Sequence, residues 1–568
     1  MTGEGGELAY QRLRAPRAPD GILLLPPARQ FAATGAANRR QRDATASIDV
    51  AGLPLAELRR AARNQLLSAA RQHSLAYRDF PAGAAATPRS HPEAPAEAPP
   101  EASGDEVPSV VLTGHQPQLF HPGVWFKNFV LADLARDCGA TGVNLVIDND
   151  TARAAVVRVP TGSPAEPRLV AVPLDATRDE VPYEERPIHD PDLFATFGER
   201  TRQLLDGLIA DPLVEPLWEA ARAAARSATA TSLGTRVRLG YCLAQARHVI
   251  EGQCGLTTLD VPLSTVCDAW PFLWFAVHLC EHREALSGVY NTALAEYRRT
   301  HGIRSRSHPV PELAAEDDWR EVPFWVWSVE QPRRRRLFVR RVADQLEFTD
   351  RAGWQARLEH AADGSAARAV EQLVRWREAG WKIRPRALTT TLYARLVLGD
   401  HFVHGIGGAK YDQLTDALFA RFWGVTPPAF VTATATVCLP IDHPQVTGAD
   451  VGAREVRLRE LTFHPERWLE EAGVTEDYAW NLVREKRQWL ATELPRGARL
   501  TRHRALGALN ETLGTFVEPL RQRWLAELSA ARVAERRHEL LGSREFSFCL
   551  FSRHDLPARL LALSARAR

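Results

Sequence analysis

The sequence predicts an α/β fold: a parallel-sheet core, interrupted by a mixed α+β insertion and followed by a C-terminal helical arm. Three observations predict it. A strand, a polar turn, a helix and a second strand follow one another between residues 109 and 150, which is the order of a βαβ unit. A second strand–turn–helix–strand block returns between residues 388 and 439. Residues 475–541 are dominated by helix formers of alternating charge, and Leu506, Leu509, Leu513, Phe516, Leu520, Trp524 and Leu528 keep three-and-four spacing, the mark of an amphipathic helix or coiled coil.

Taken in order, residues 1–80 read as an N-terminal extension, helical over 54–73. Leu55, Leu58, Ala62, Leu66 and Ala69 form one stripe there, and Pro54 stands at the helix start. Residues 81–107 read as a disordered linker. Up to residue 106 they hold six Pro, eight Ala and no bulky apolar residue, too little apolar surface to offset the entropy of ordering. Residues 108–250 read as the first half of the core. Ser109 to Thr113 is a buried-type strand, Gly114 to Gly123 a polar turn, and Val124 to Cys138 a helix stopped by Gly139. The next strand, Val143 to Ile147, closes on Asp148-Asn149-Asp150.

Residues 251–380 read as the insertion, helical over Thr265 to Tyr297, with a hairpin over 322–349 turning at Gln331-Pro332 and the arginines 333–336. Residues 381–455 complete the core. Leu388 to Leu398 is helical, His401 to Ile406 a short strand, Gly407-Gly408 opens a helix, and Ala429 to Leu439 is a Thr-rich strand. Residues 456–545 form the arm, where Pro519 predicts a kink. Residues 546–568 read as a strand, Phe546 to Phe551, and a terminal helix.

Composition bounds the function. At 568 residues, two to four units of roughly 100–200 residues are expected. A net charge of +2, from 71 Lys+Arg against 69 Asp+Glu, lacks the basic excess of a nucleic-acid surface. No run of about 20 apolar residues calls for a membrane, and MTGEGGELAYQRLRAP has no apolar h-region. Seven scattered cysteines read as reduced thiols in the cytoplasm.

Parallel sheets bind ligands beyond the carboxyl ends of their strands, so the turns there are the candidate sites. Thr113-Gly114-His115-Gln116 through His121 and Gly123 packs two histidines, an amide and glycines between a strand and a helix. A helix N-terminus favours an anion, and His115 and His121 can donate to one. The plainer alternative is a βα turn whose histidines cap the helix. Asp148, Asn149 and Asp150 can hold ribose hydroxyls, an amine or Mg²⁺, or form an Asx-turn or N-cap. His404, Gly407, Gly408, Lys410 and Tyr411 form a second glycine-rich turn. Its glycines admit a close ligand and Lys410 can pair with phosphate, or the turn is simply tight. Cys254, Cys267, His278, Cys280 and His282 lack zinc-motif spacing, so no metal is expected. The Arg333–Arg336 run reads as a solvated turn.

These two turns carry a resemblance. Thr113-Gly114-His115-Gln116…Leu119-Phe120…Gly123, and the block from Ile383-Arg384-Pro385 through Gly407-Gly408, resemble the signatures of the BshC family, the cysteine-adding enzymes of bacillithiol synthesis. That family reads TGQQ-x-GLF-x-GP and GGPGE there. The resemblance implies a Rossmann-like core of the nucleotidylyltransferase type and a C-terminal coiled coil that makes a homodimer. The implied reaction is ligase-type addition of cysteine to an amino-sugar conjugate such as glucosaminyl-malate, with ATP or ADP as cofactor. The residues it carries over are His115, Gln116, Gly123, Asp148, Asp150, Gly407 and Gly408. Three departures stand out. His115 replaces a Gln, Asp-Asn-Asp replaces Glu-Asp-His-Asp, and Lys410 and Tyr411 stand where the family has Gly and Glu. About 35 residues around the first turn are also similar to WbqC-like proteins linked to sugar modification.

Together these readings give an expected mechanism. His115, Gln116 and the amides near Gly123 hold phosphates, with Thr113 and Gly114 alongside. His121 assists, Asp148 or Asp150 holds an amine or ribose, and Gly407, Gly408 and Lys410 close the other side. The alternative is a non-catalytic or sugar-modifying nucleotide-binding dimer of the WbqC-like type.

Overall fold

The computed structural model describes residues 13–80, 107–152, 155–176, 180–231, 237–359, 365–493 and 499–566. The expected linker at 81–107 lies almost wholly outside them. Six strands make the central sheet: β1 (Ile22–Leu25), β2 (Val110–His115), β3 (Thr141–Val146), β4 (Leu259–Pro262), β5 (His401–His404) and β6 (Val431–Ala435). Their spatial order is β1-β6-β5-β2-β3-β4. All neighbours are parallel except β1, which pairs antiparallel with β6. From β2 the chain steps outward to β3 and β4. It returns to the opposite side of β2 as β5, then steps to β6. The strand order therefore reverses between β2 and β5.

Helices cover both faces, as a parallel sheet requires. The relevant ones are α1 (Leu55–Leu75), α2 (Pro122–Asp137), α3 (Leu239–Gln253) and α4 (Ile406–Arg421). Alternation along β2 divides the core. Val110 and Leu112 join one cluster with Leu58 and Leu66 of α1 and Leu414 and Leu418 of α4. Val111 joins the other with Trp125, Phe126 and Phe129 of α2.

Residues 13–80 are more integral than an extension. β1 completes the sheet edge, and Arg59 and Arg63 of α1 donate to the Leu396 and Val397 carbonyls. The expected hairpin at 322–349 is present and grows into a six-stranded antiparallel sheet. Its strands Trp319–Ser328 and Trp381–Pro385 pair with each other. In the arm, Gly448–Phe463, Asp477–Ala491, Arg499–Phe516 and Glu518–Leu541 share a small core that includes Leu461, Leu469, Leu513, Leu520 and Trp524. Pro519 does not kink a continuous helix. The helix breaks at Val517, and Pro519 sits in the first turn of the next, where its missing N–H is harmless.

The strand expected at Phe546 to Phe551 is instead a 3₁₀ turn, Phe548–Leu550, with the Ser547 hydroxyl accepting from the Cys549 amide. Phe548, Cys549 and Leu550 are all buried in succession. A half-buried strand would bury alternate residues. Among the described residues no helix is long and apolar enough to cross a membrane.

Candidate functional site

A cavity of about 540 Å³ opens at the carboxyl ends of β2 and β5, where the strand order reverses. β2 and its turn supply Gly114, His115 and Gln116, α2 supplies His121, Gly123 and Lys127, and the β5–α4 junction supplies His404 to Gly408, Lys410 and Tyr411. Thr434 of β6 and Arg544 of the C-terminal segment close one side. The two turns singled out from sequence thus face each other across one cleft, at the position where open α/β sheets bind ligands.

The two helix N-termini at the cleft differ. His121 caps α2: its Nδ1 accepts from the Gly123 amide at 3.1 Å, and its carbonyl accepts from Val124. The Gly123 amide is therefore occupied, contrary to the expectation that it holds a phosphate. Gly123 serves packing instead. A Cβ there would lie 2.3 Å from the Ala435 carbonyl oxygen of β6. At α4 the N-cap is Gly405 and no side chain caps the turn. The amides of Ile406, Gly407 and Gly408 have no hydrogen-bond partner among the described residues, leaving an open anion position.

His115 ends β2 at 7% exposure with both ring nitrogens unpartnered. Burial, then Lys127 and Arg247, hold its pKa well below the ordinary histidine value, so the ring is neutral. Buried polar atoms seldom stay unpaired, and the residue lines the cavity. Lys127 is 4% exposed and donates to the Gly114 carbonyl at 2.9 Å. Its ammonium has no carboxylate in ion-pair range among the described residues. Burial and the nearby Arg247 lower its pKa to about 7. Its chain passes the α4 N-terminus: a Cβ on Gly405 would stand 3.6 Å from Lys127 Cδ. A nearly buried cation, unpaired helix amides and an unpartnered imidazole converge on one space.

On the β5 side, His404 Nε2 lies 2.8 Å from Asp412 Oδ2, and Asp412 accepts from Arg395 at 2.7 Å. Burial acts to raise the Asp412 pKa. Arg395 and His404 outweigh it and hold the carboxyl below the usual range. Arg395 is placed by a π turn, Ala394–Leu398, that ends the helix Ala387–Tyr393. Such turns often re-aim a functional side chain. Gly408 admits the imidazole, since a Cβ there would sit 2.7 Å from His404 Nδ1.

The acidic turn after β3 has a different role. Asp148 accepts from the Ser264 amide at 2.9 Å and from its hydroxyl, tying β3 to the helix Leu263–Cys267. Burial and Glu184 raise its pKa to about 7. Asn149 donates to the Pro385 carbonyl at 2.8 Å. Neither residue lines the cavity, and the capping alternative describes Asp148. Asp150 lies at the rim, paired with Arg334 at 2.9 Å and accepting from Gln116 Nε2 at 2.9 Å. Thr113 is a strut between strands, donating to the Val403 carbonyl at 2.7 Å. Lys410 and Tyr411 line the cleft, and burial, then Asp412 and Asp150, raise the Tyr411 hydroxyl to about 12.

Below the cleft, sharing α2 with it, lies a second charged cluster. Arg247 of α3 bridges Glu251 at 2.7 Å and Asp260 of β4. Trp125 Nε1 and Asn128 of α2 donate to Glu251 at 2.8 and 2.5 Å. His248, Glu251 and Asp260 approach closely enough to suggest a metal position. Arg247 already supplies the cation there, and both His248 nitrogens are engaged, by Tyr77 and the Thr258 carbonyl at 2.7 Å each. These residues do not fit a metal.

The sequence reading missed Lys127, Asp412, Arg395 and Arg544. Lys127 and Asp412 each sit about one turn inside a helix whose first residues were flagged, on the face turned to the sheet. Arg395 and Arg544 arrive from distant segments and leave no local signal. No protein-family model matches the chain, and no curated protein matches it.

Proposed function

We propose that the chain is an enzyme that binds a phosphate-bearing, nucleotide-like anion in the β2–β5 cleft and joins an amine to a second small molecule there. One observation carries this reading: Lys127, almost fully buried without a carboxylate partner, converges with the unpaired amides of Ile406 to Gly408 and the unpartnered His115. A buried cation and unpaired donors are costly unless a ligand answers them. Those residues suit the phosphates of ATP or ADP, which would supply an activated leaving group.

The resemblance of the two cleft turns to BshC enzymes narrows the reaction class. It is ligase-type addition of cysteine, or a related amino acid, to an amino-sugar conjugate such as glucosaminyl-malate. The strand order supports a Rossmann-like core for this reading. The homodimer belongs to it as well: the helical arm exposes Val456, Phe463, Tyr478, Leu490 and Leu500, apolar surface that a second copy would cover. We place the protein in the cytoplasm with small-molecule partners.

The test is to incubate the full chain with cysteine and glucosaminyl-malate, with and without ATP, and follow the amide product by mass spectrometry. Product formation that falls at least tenfold on Lys127→Met supports the reading. Absence of product, together with absence of ATP or ADP binding, rejects it in favour of a non-catalytic scaffold.

A further inference from the structure

Resting on that reading of the cleft, we propose that His404 is its general base, taking a proton through Nδ1 from a hydroxyl or amine of a ligand whose anionic group is held by Lys127 and the first turn of α4. The cleft contains three histidines, and geometry separates them. His121 Nδ1 already accepts from the Gly123 amide as a helix cap. His115 has no carboxylate partner, and burial, then Lys127 and Arg247, oppose a charge on it. His121 faces only the exposed Glu545, at 3.9 Å, whereas His404 is backed by a buried carboxylate, Asp412, at 2.8 Å.

That carboxylate fixes the tautomer. Asp412 is fully buried and bonded to Arg395; an ionised carboxylate only accepts. Nε2 must therefore carry the hydrogen, and the Nδ1 lone pair is left for the cavity. No group among the described residues hydrogen-bonds Nδ1. Gly408 keeps it open, because any side chain there would start within 2.7 Å of it. A lone pair repels a bare phosphate oxygen, so what faces Nδ1 must carry a hydrogen. The ligand class that fits both halves is an anion bearing a hydroxyl or amine a short distance from its charge.

The step balances within the site. The X–H bond of the bound group breaks and its electron pair stays on X. The proton forms an N–H bond at Nδ1, and Asp412 stabilises the resulting imidazolium. The same nitrogen can return the proton to a leaving group.

The test uses the full chain with ¹⁵N-labelled histidine, and ADP as the probe of the anion half. In the parent, nitrogen NMR should show His404 with Nδ1 unprotonated and Nε2 protonated from about pH 6 to 8, spanning the ordinary histidine range. In Asp412→Asn the amide oxygen must still accept from Arg395 at the position it shares with Nε2, so the Nε2 hydrogen should stay while the lost carboxylate charge lowers the rate. His404→Gln should lower the rate of amide formation by roughly 10²–10⁴-fold while ADP affinity changes by no more than about threefold. Gly408→Ala would place a Cβ 2.7 Å from Nδ1 and should lose at least tenfold in rate, with Nδ1 covered; a parent-like circular dichroism spectrum shows that the variant has folded.

A hydrogen on Nδ1 in the parent overturns the proposal, as do His404→Gln and Gly408→Ala rates within threefold of the parent. Loss of ADP binding in the parent itself removes the nucleotide reading instead. If the parent forms no amide, the nitrogen spectrum alone decides for or against the dyad.

Discussion

The cleft between β2 and β5 and the neighbouring Arg247 cluster are built from the same residue types and share α2, which supplies Lys127 to one and Trp125 and Asn128 to the other. In the lower cluster charges meet: Arg247 bridges Glu251 and Asp260, and Trp125 and Asn128 donate to Glu251. In the cleft Lys127 has only a carbonyl, and His115 has nothing. A charge-paired buried network specifies structure. An unpaired cation beside a cavity marks a place for a ligand. Distance from a catalytic-looking motif does not separate the two; charge pairing does.

Breaking the lower cluster should give the largest effect on stability. Arg247→Met leaves Glu251 and Asp260 buried without their cation, and removing one partner of a buried ion pair costs roughly 3–5 kcal/mol. Chemical or thermal unfolding should show this, whereas a change below about 1 kcal/mol would undo the contrast drawn above.

Asp148 tests whether the acidic turn belongs with the structural side. Its folded pKa of about 7 lies above the ordinary value of 3.8. The folded state therefore binds the proton more tightly. The stability this confers is complete below about pH 4 and is lost as pH rises through about 7. Asp148→Asn should flatten that part of the stability–pH curve, by a few kcal/mol at most, and leave ADP affinity intact. A curve that keeps the parent's slope would exclude Asp148 as its source.

Lys127 belongs to the other side. Lys127→Met should weaken ADP binding by about 1.5–3 kcal/mol, the usual worth of a hydrogen bond to a charged group. Stability at neutral pH should hold or rise, because a buried unpaired ammonium is unfavourable. Equal losses of stability and affinity would make the lysine structural.

His121 should show the smallest effect. His121→Ala removes the α2 cap and should lower stability by about 1 kcal/mol, visible as a small drop in Tm. Its effect on ADP affinity should be well below that of Lys127→Met.

Much of this contrast was legible in the sequence and part of it was not. The histidine and glycine turns after β2 and β5 stood out because apolar runs precede them and helical spacing follows. That the turns share one cleft depends on β5 pairing beside β2 across some 290 residues, which no local pattern encodes. The Asp148 turn misled because a carboxylate after a strand looks the same whether it meets a ligand or caps the neighbouring Leu263–Cys267 helix. Lys127 escaped notice because a single lysine in a helix normally reaches water. Only tertiary packing buries it. Phe546 to Phe551 read as a strand because apolar composition alone does not distinguish alternating from continuous burial.

The central claim is that the cleft is an anion site whose cation is Lys127. Titration calorimetry of ADP into the full chain, repeated in buffers of different ionisation enthalpy, tests it most directly. Burial lowers the Lys127 pKa to about 7, and a bound anion favours the ammonium form. Binding just above neutral pH should therefore take up a proton, and affinity should fall as pH rises through that range. His115, His404 and Arg247 surround the lysine, but both histidines are held neutral there and the arginine stays charged. The account predicts proton uptake in the parent that disappears in Lys127→Met. No binding, or identical proton uptake in the two proteins, would contradict it.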